Sequence, residues 1–150
     1  MKDPHVSLRL IGDSRIFYPG QTLNGEFFVD TPNQQDVKAV ELSVLWYTEG
    51  KGDEDLAVHH FQRINNDSGE EVDLRRTQQF HTVLPNTPLS YDGVIVQIFW
   101  CVRLRVFPRA GREVVAEQSF QLGLVPRAHP VEEVVAGAGA EPPARRSPGA

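Results

Sequence analysis

The sequence predicts an all-β protein, folded as an antiparallel β-sandwich, on three observations. The first is a run over residues 94–106 in which apolar side chains recur at every second position: Val94, Val96, Ile98, Trp100, Val102, Leu104 and Val106. Since side chains alternate between the two faces of a strand, this spacing places all seven on one side of a sheet. The second is that proline, glycine, asparagine and aspartate divide the first 123 residues into short runs. The third is that no segment keeps helical periodicity for three turns.

The first three predicted strands cover residues 5–11, 16–18 and 22–30. Pro19-Gly20 forms the turn before the third strand, because proline presets φ and glycine accepts a positive φ. The residues of the third strand that share one parity, and are predicted to face the core, are Leu23, Gly25, Phe27 and Val29. A glycine inside a strand is typical of a bulge or a close backbone contact, so Gly25 is predicted to mark one.

Apart from the long run, four later strands are predicted over residues 37–48, 56–65, 70–83 and 112–122. Over residues 37–48 the side chains predicted to point inward are Val40, Leu42, Val44 and Trp46. Trp46 and Trp100 belong to the two longest inward faces and are expected to meet in the core. About eight short strands with turn signals between them are typical of a sandwich.

Length and composition predict one domain over residues 1–125 and a disordered tail rich in proline, alanine and glycine over residues 126–150. The net charge of −5 gives no electrostatic reason to expect a nucleic-acid partner. The chain has one cysteine, Cys101, no stretch resembling a signal peptide and no apolar run long enough to span a membrane. We therefore expect a cytoplasmic protein, since a lone cysteine fits a reducing compartment.

Candidate catalytic, cofactor and metal sites are weak. His59 and His60 are adjacent in a predicted strand and point to opposite faces, so they do not form a ligand pair. Cys101 lies within a strand without the strand-turn-helix elbow that exposes a nucleophile. The sequence therefore predicts no catalytic residue, no cofactor and no metal, and a protein that is not an enzyme.

Two surfaces are predicted to bind other proteins. The second face of the long strand is unusually apolar for a solvent face and carries Ile95, Phe99, Cys101 and Phe107. This face has a second interpretation, in which it packs against a neighbouring strand or the tail. An exposed edge is predicted over residues 70–79, with Arg75 and Arg76, where a partner strand could be added.

Three motifs in register resemble the amino-terminal lobe of the arrestin fold. They are Tyr-Pro-Gly-Gln-Thr-Leu-Asn-Gly-Glu-Phe at residues 18–27, Val-Lys-Ala-Val-Glu-Leu at 37–42, and the stretch from Phe80 through Leu84-Pro85, Pro88, Ser90-Tyr91 and Gly93 to Val102. The resemblance spans residues 6–122 and implies an immunoglobulin-like sandwich of seven or eight strands. Arrestin-like trafficking adaptors and bacterial sporulation-control proteins share this fold and act as adaptors or scaffolds. Arrestins have two lobes of this kind, and this chain has room for one.

The resulting hypothesis is a non-enzymatic adaptor or scaffold module that binds a protein partner. Dimerisation, as a homodimer or with a partner of the same fold, would supply the missing second lobe. The alternative hypothesis is a sandwich that binds a small ligand or a carbohydrate at its loops through Trp46, Tyr47 or Tyr91. Aromatic side chains exposed together at one rim would favour the alternative.

Overall fold

A computed structural model describes residues 4–52, 54–66, 73–74 and 76–124. Within them the chain forms nine strands and one short 3-10 helix, Gln34–Asp36. The strands are β1 His5–Leu10, β2 Ile16–Phe17, β3 Thr22–Asp30, β4 Val37–Gly50, β5 Leu56–Asn65, β6 Gln78–Val83, β7 Tyr91–Asp92, β8 Val96–Pro108 and β9 Val114–Leu122. The all-β class predicted from the period-two alternation is confirmed.

The strands form two sheets that enclose one core. Three antiparallel strands make the smaller sheet in the order β1-β3-β6. The larger sheet has the order β2-β9-β8-β4-β5, with β7 paired to the beginning of β8. Its neighbouring strands are antiparallel except for β2, which runs parallel to β9. This is the sandwich that the turn spacing predicted.

The two longest strands, β4 and β8, lie at the centre of the larger sheet and supply much of the core. Their register places Trp46 directly opposite Trp100, so the two tryptophans are cross-strand neighbours in one sheet. Trp100 is 1% exposed, whereas Trp46 is half-buried and packs against the border of the core. From Trp100 onward the inward residues of β8 are buried, as predicted: Val102, Leu104 and Val106.

The predicted beginning of the long strand, at Val94, is wrong. β8 starts at Val96, and Val94 and Ile95 lie in the tight turn between β7 and β8. The Gly93 N–H donates to the Val96 carbonyl at 3.0 Å, which closes a hairpin and turns both side chains out of the sheet. Val94 is 82% exposed and does not face the core.

The strand predicted over residues 70–83 is shorter than expected. Among the described residues of this range, Gln78–Val83 forms a strand, β6, at the border of the smaller sheet, and residues 73–74 and 76–77 do not. Leu74 precedes it in a turn and is 1% exposed, with its N–H donated to the Gln34 Oε1 atom at 2.9 Å. Residues 67–72 and 75 lie outside the described residues. The buried Leu74 side chain therefore anchors the turn that precedes β6.

Gly25 marks a close contact, one of the two features predicted for it. It lies directly opposite Phe80 of β6, whose ring covers the glycine. A Cβ atom at this position would lie 2.6 Å from the Phe80 Cε1 atom and closer still to Cζ. The glycine therefore makes room for the aromatic ring between β3 and β6.

The predicted domain boundary at residue 125 and the predicted disordered tail over residues 126–150 fall outside the described residues, and they stay predictions. In the described part of the chain, no helix has the length and apolar character needed to cross a membrane.

Candidate functional site

The four residues of the predicted interaction face do not share one surface. Phe99, Cys101 and Phe107 lie on the outward face of β8, at alternate positions to the buried Trp100. Ile95 precedes β8 and lies in the hairpin turn. The structure therefore brings three of the four together on the sheet and places the fourth at the end of the sandwich.

Cys101 lies in the middle of this face but is covered by its neighbours. It is 2% exposed and pairs directly with Leu45 of β4, which is also 2% exposed. Burial, together with the nearby Glu117 carboxylate, raises the pKa of the Cys101 thiol to about 11. The thiol is thus protonated at neutral pH and offers a partner neither contact area nor a nucleophile.

The aromatic residues of the same face are engaged within the sheet. The half-buried Phe99 ring lies 5.5 Å from the Tyr47 ring of β4. Phe107 has two cations over its ring, since the Arg63 and Arg105 guanidinium carbons lie 5.7 and 5.1 Å from its centre. Cation–π contacts of this kind hold the ring against its own sheet and reduce its free apolar surface.

Ion pairs cross the outward face and balance its charge. Arg63 pairs with Glu41, Arg105 pairs with Glu113 at 2.8 Å, and Arg105 approaches Glu41 at 4.0 Å. The hydrogen bonds from Arg105 hold the pKa of Glu113 below its ordinary range. Because these groups face solvent, their contribution to stability is small. Their effect is to leave little net charge around Phe107.

Sequence reasoning missed a strip of exposed apolar side chains on β5, the strand on the other side of β4 from β8. Leu56, Val58 and Phe61 of β5 are 55%, 49% and 52% exposed. Their cross-strand partners on β4 are Tyr47, Leu45 and Ser43, which share the outward parity, so the three apolar side chains also point outward. The strip runs along the outer strand of the larger sheet, which pairs with β4 alone in the part of the chain that the structure describes.

A second exposed apolar feature is the turn of the β7–β8 hairpin, which we call the tip and define as Val94 and Ile95. These residues are 82% and 68% exposed. The Lys51 N–H donates to the Ile95 carbonyl at 3.2 Å, which ties the tip to the neighbouring β4–β5 turn. Gly50 permits this approach, because a Cβ atom there would lie 3.0 Å from the Val96 Cα atom and closer to the Ile95 oxygen.

Of the two predicted edge residues, Arg75 and Arg76, the structure describes Arg76. Arg76 is exposed in a bend two residues before β6, with its N–H donated to the Asp73 carbonyl at 3.2 Å. It is therefore outside the strand that it was predicted to occupy. Arg75 lies outside the described residues.

The adjacent histidines serve the fold in different ways. The β4–β5 register shifts between Val44 and Leu45, which makes His59 the extra residue of a bulge. The His59 Nε2 atom donates to the Val83 carbonyl of β6 at 2.8 Å, so it connects the two sheets. The His60 Nε2 atom lies 3.2 Å from the Gln62 Oε1 atom. Among the described residues, no group of three histidines, cysteines or carboxylates is placed to hold a metal ion.

The aromatic residues named for ligand binding are not gathered at one exposed rim. Trp46 packs against the core, Tyr47 is half-buried beside Phe99, and Tyr91 is 36% exposed on β7. Tyr91 lines a shallow groove of about 320 Å³ together with Asp92 and Phe99. Tyr47 lines a different groove of about 280 Å³. As described, these three residues do not form the shared exposed rim that would favour the carbohydrate hypothesis.

No protein-family model and no curated protein matches this chain. Among solved structures it is similar to Spo0M, a sporulation control protein from Bacillus subtilis, with a TM-score of 0.54 and 19% sequence identity over 92% of this chain. The match covers 55% of the Spo0M chain, so this chain spans about half the length of that protein.

Two superoxide reductases (neelaredoxins) from Ignicoccus hospitalis also match, each at 10% identity. One has a TM-score of 0.45 over 78% of this chain and 80% of its own, and the other 0.47 over 81% of each. Their similarity carries no argument. The Spo0M match shows the fold alone, and it confirms the arrestin-like β-sandwich expected from the three motifs.

Proposed function

We propose that this chain is a non-enzymatic protein-interaction module of arrestin-like fold, and that it contacts a protein partner through the tip. The observation that carries the proposal is the exposure of two adjacent aliphatic side chains, Val94 at 82% and Ile95 at 68%, in a turn. Turns are ordinarily built from polar residues and glycine, so exposed apolar residues here are typical of a contact surface.

The tip is held in place before any partner binds. The Gly93–Val96 and Lys51–Ile95 hydrogen bonds fix its backbone on both sides. A contact surface that is already ordered loses less conformational entropy on association, so more of the apolar contact energy remains as affinity.

The charges beside the tip indicate the chemistry of the partner. Glu49 at the end of β4 and Glu54 and Asp55 of the β4–β5 turn are exposed, and Lys51 is the one cation among the described residues of that turn. Arg103 lines the same groove as these carboxylates and is paired with Glu117. An apolar anchor with an acidic surround fits an apolar pocket rimmed by lysine or arginine. The same acidic surround disfavours contact with an anionic lipid surface.

The absence of enzymatic activity is part of this proposal, and two observations support it. The single thiol is buried and protonated at neutral pH, and the described residues hold no metal-ligating group of three. A cytoplasmic location also belongs to the proposal, because a lone unpaired cysteine suits a reducing compartment.

Capture from the native cell extract tests the proposal. We compare the full chain with a Val94→Ser/Ile95→Ser double variant and with Val115→Ser, which removes a 48% exposed valine from β9. The tip variant should lose at least about tenfold in partner yield, since apolar anchors at an interface contribute on the order of 2 kcal/mol. Its unfolding temperature should not fall, because the replaced side chains are exposed. Equal yields from the two variants would contradict the proposal.

A further inference from the structure

We propose that the edge of β5 that pairs with no described strand joins two copies of this chain, through antiparallel pairing about a two-fold axis at Gln62. The two larger sheets then become one continuous sheet. This goes beyond the proposed function, because the pairing region and the tip are different places. Phe61 of β5 faces Ser43 of β4, whereas the tip lies beside Gly50, about 23 Å further along that strand.

The edge is long and carries few of the features that prevent strand addition. β5 has ten residues and contains no proline, lysine or carboxylate. Edge strands that are meant to stay unpaired ordinarily use such residues, or a bulge. Here the bulge at His59 lies in the first half of the strand, so the regular stretch after it, His60 to Asn65, stays available.

The hydrogen-bond pattern shows which groups face the free edge. The Asn66 N–H donates to the Lys38 carbonyl at 2.9 Å, and the register runs unbroken from there to His60. In an antiparallel ladder, hydrogen-bonded and non-hydrogen-bonded pairs alternate. Gln62 therefore exchanges hydrogen bonds with β4, whereas Phe61 and Arg63 turn their N–H and C=O groups toward the edge.

Charge then selects one register. A two-fold axis normal to the sheet keeps the outward faces of both copies on the same side. Within the regular stretch, an axis at Gln62 or Arg63 pairs five residues of each copy, whereas one at Phe61 or Ile64 pairs three. An axis at Arg63 sets two guanidinium groups against each other, and an axis at Phe61 sets Arg63 against the bulge. The axis at Gln62 places each Phe61 across from Arg63 of the second copy. Arg63 already makes a contact of that kind with Phe107, at 5.7 Å.

A cysteine introduced at the axis tests this register in the full chain. In Gln62→Cys the two thiols come from a directly opposed pair, with Cα atoms about 4.5 Å apart, which a disulfide can bridge. Cys101 does not compete, because it is 2% exposed. The matched control is Asn65→Cys, whose two copies lie about 20 Å apart in this register. Mild oxidation should link Gln62→Cys into a covalent dimer and leave Asn65→Cys unlinked.

Opposite charges at position 61 give an independent test. Phe61→Lys sets an ammonium against Arg63 of the second copy, whereas Phe61→Glu sets a carboxylate there. Light scattering should give the wild type and Phe61→Glu twice the mass of one chain, and Phe61→Lys the mass of one chain. Thermal unfolding checks that both variants stay folded, as expected for a side chain that is 52% exposed.

A wild-type chain that is monomeric at the highest concentration reached would overturn the inference. Protected β5 amide hydrogens in such a monomer would assign the edge to residues 125–150 instead. A different protein bound along the β5 edge would equally overturn the inference. A dimer in which Gln62→Cys fails to cross-link and both Phe61 variants behave as wild type would also overturn it. Partner capture that is unchanged in the tip variant while the dimer stays intact would instead contradict only the proposed function.

Discussion

Trp100 shows how a single side chain satisfies both the apolar and the polar demands of the core. Its ring is 1% exposed and lies 5.8 Å from Phe120. Its Nε1–H donates to the Pro88 carbonyl at 2.8 Å, so the buried polar atom is paired. The contact also fastens the proline-containing segment before β7 to the larger sheet.

Trp100→Ala should lower the free energy of unfolding by about 3–5 kcal/mol, because a large buried side chain leaves a cavity. Trp100→Phe should cost less, since it keeps an aromatic ring and loses the hydrogen bond to Pro88. Urea denaturation of both variants measures the difference. A loss below about 1 kcal/mol for Trp100→Ala would contradict the inward orientation of this residue.

Cys101 should react slowly with thiol reagents while the protein is folded. Burial raises its pKa to about 11, so little thiolate exists at neutral pH. Unfolding returns the pKa to about 8.5, so the thiol contributes stability below that pH that is lost as the pH rises toward 11. A labelling time course with and without denaturing urea checks this. Equal rates in the two conditions would show that Cys101 is accessible.

At the scale of elements, alternation predicted the strands that have one buried and one open face. β3 and β5 have the predicted bounds, and β9 begins within two residues of its prediction. β7 has two residues, too few for a periodic signal. Val94 and Ile95 extended the apolar pattern into a turn, because composition alone does not show where a hairpin closes.

The candidate surfaces were harder to predict, for reasons that lie in strand pairing. The bulge at His59 changes the parity of β5, so Val58 and Phe61 share a face although their spacing in sequence is odd. The pattern therefore looked irregular, and the strip was missed. Cys101 was placed on an open face, whereas Leu45 and the surrounding side chains bury it. The burial of Cys101 becomes evident once the register of β4, β8 and β9 is known.

Gly25→Ala should destabilise the pairing of β3 with β6 by about 1–3 kcal/mol, because its methyl group overlaps a buried ring and the site has no spare volume. The destabilisation caused by Gly25→Ala should be smaller when Phe80 is replaced by leucine, because the smaller side chain leaves room for the added methyl group. A double-mutant cycle from denaturation curves measures the coupling. If the penalty is the same with Phe80 and with leucine, the contact is not its cause.

At the scale of the whole molecule, the described part of the chain is a sandwich for which we propose two separate contact regions. The tip lies at one end beside an acidic turn, and the β5 edge lies along one side of the larger sheet. Two copies joined at β5 would carry two tips, so one assembly would bind two partner sites. A bivalent assembly gains avidity in this way without any new contact.

The central claim is that the tip is where a partner binds, and site-specific photo-crosslinking in the native cell tests it most directly. A photoreactive amino acid is placed at position 95 and, as the control, at the exposed position 115 of β9. The account predicts one discrete adduct from position 95, to a surface with an apolar pocket and a basic rim, and none of that mass from position 115. Identical adducts from both positions, or none from position 95, would contradict it.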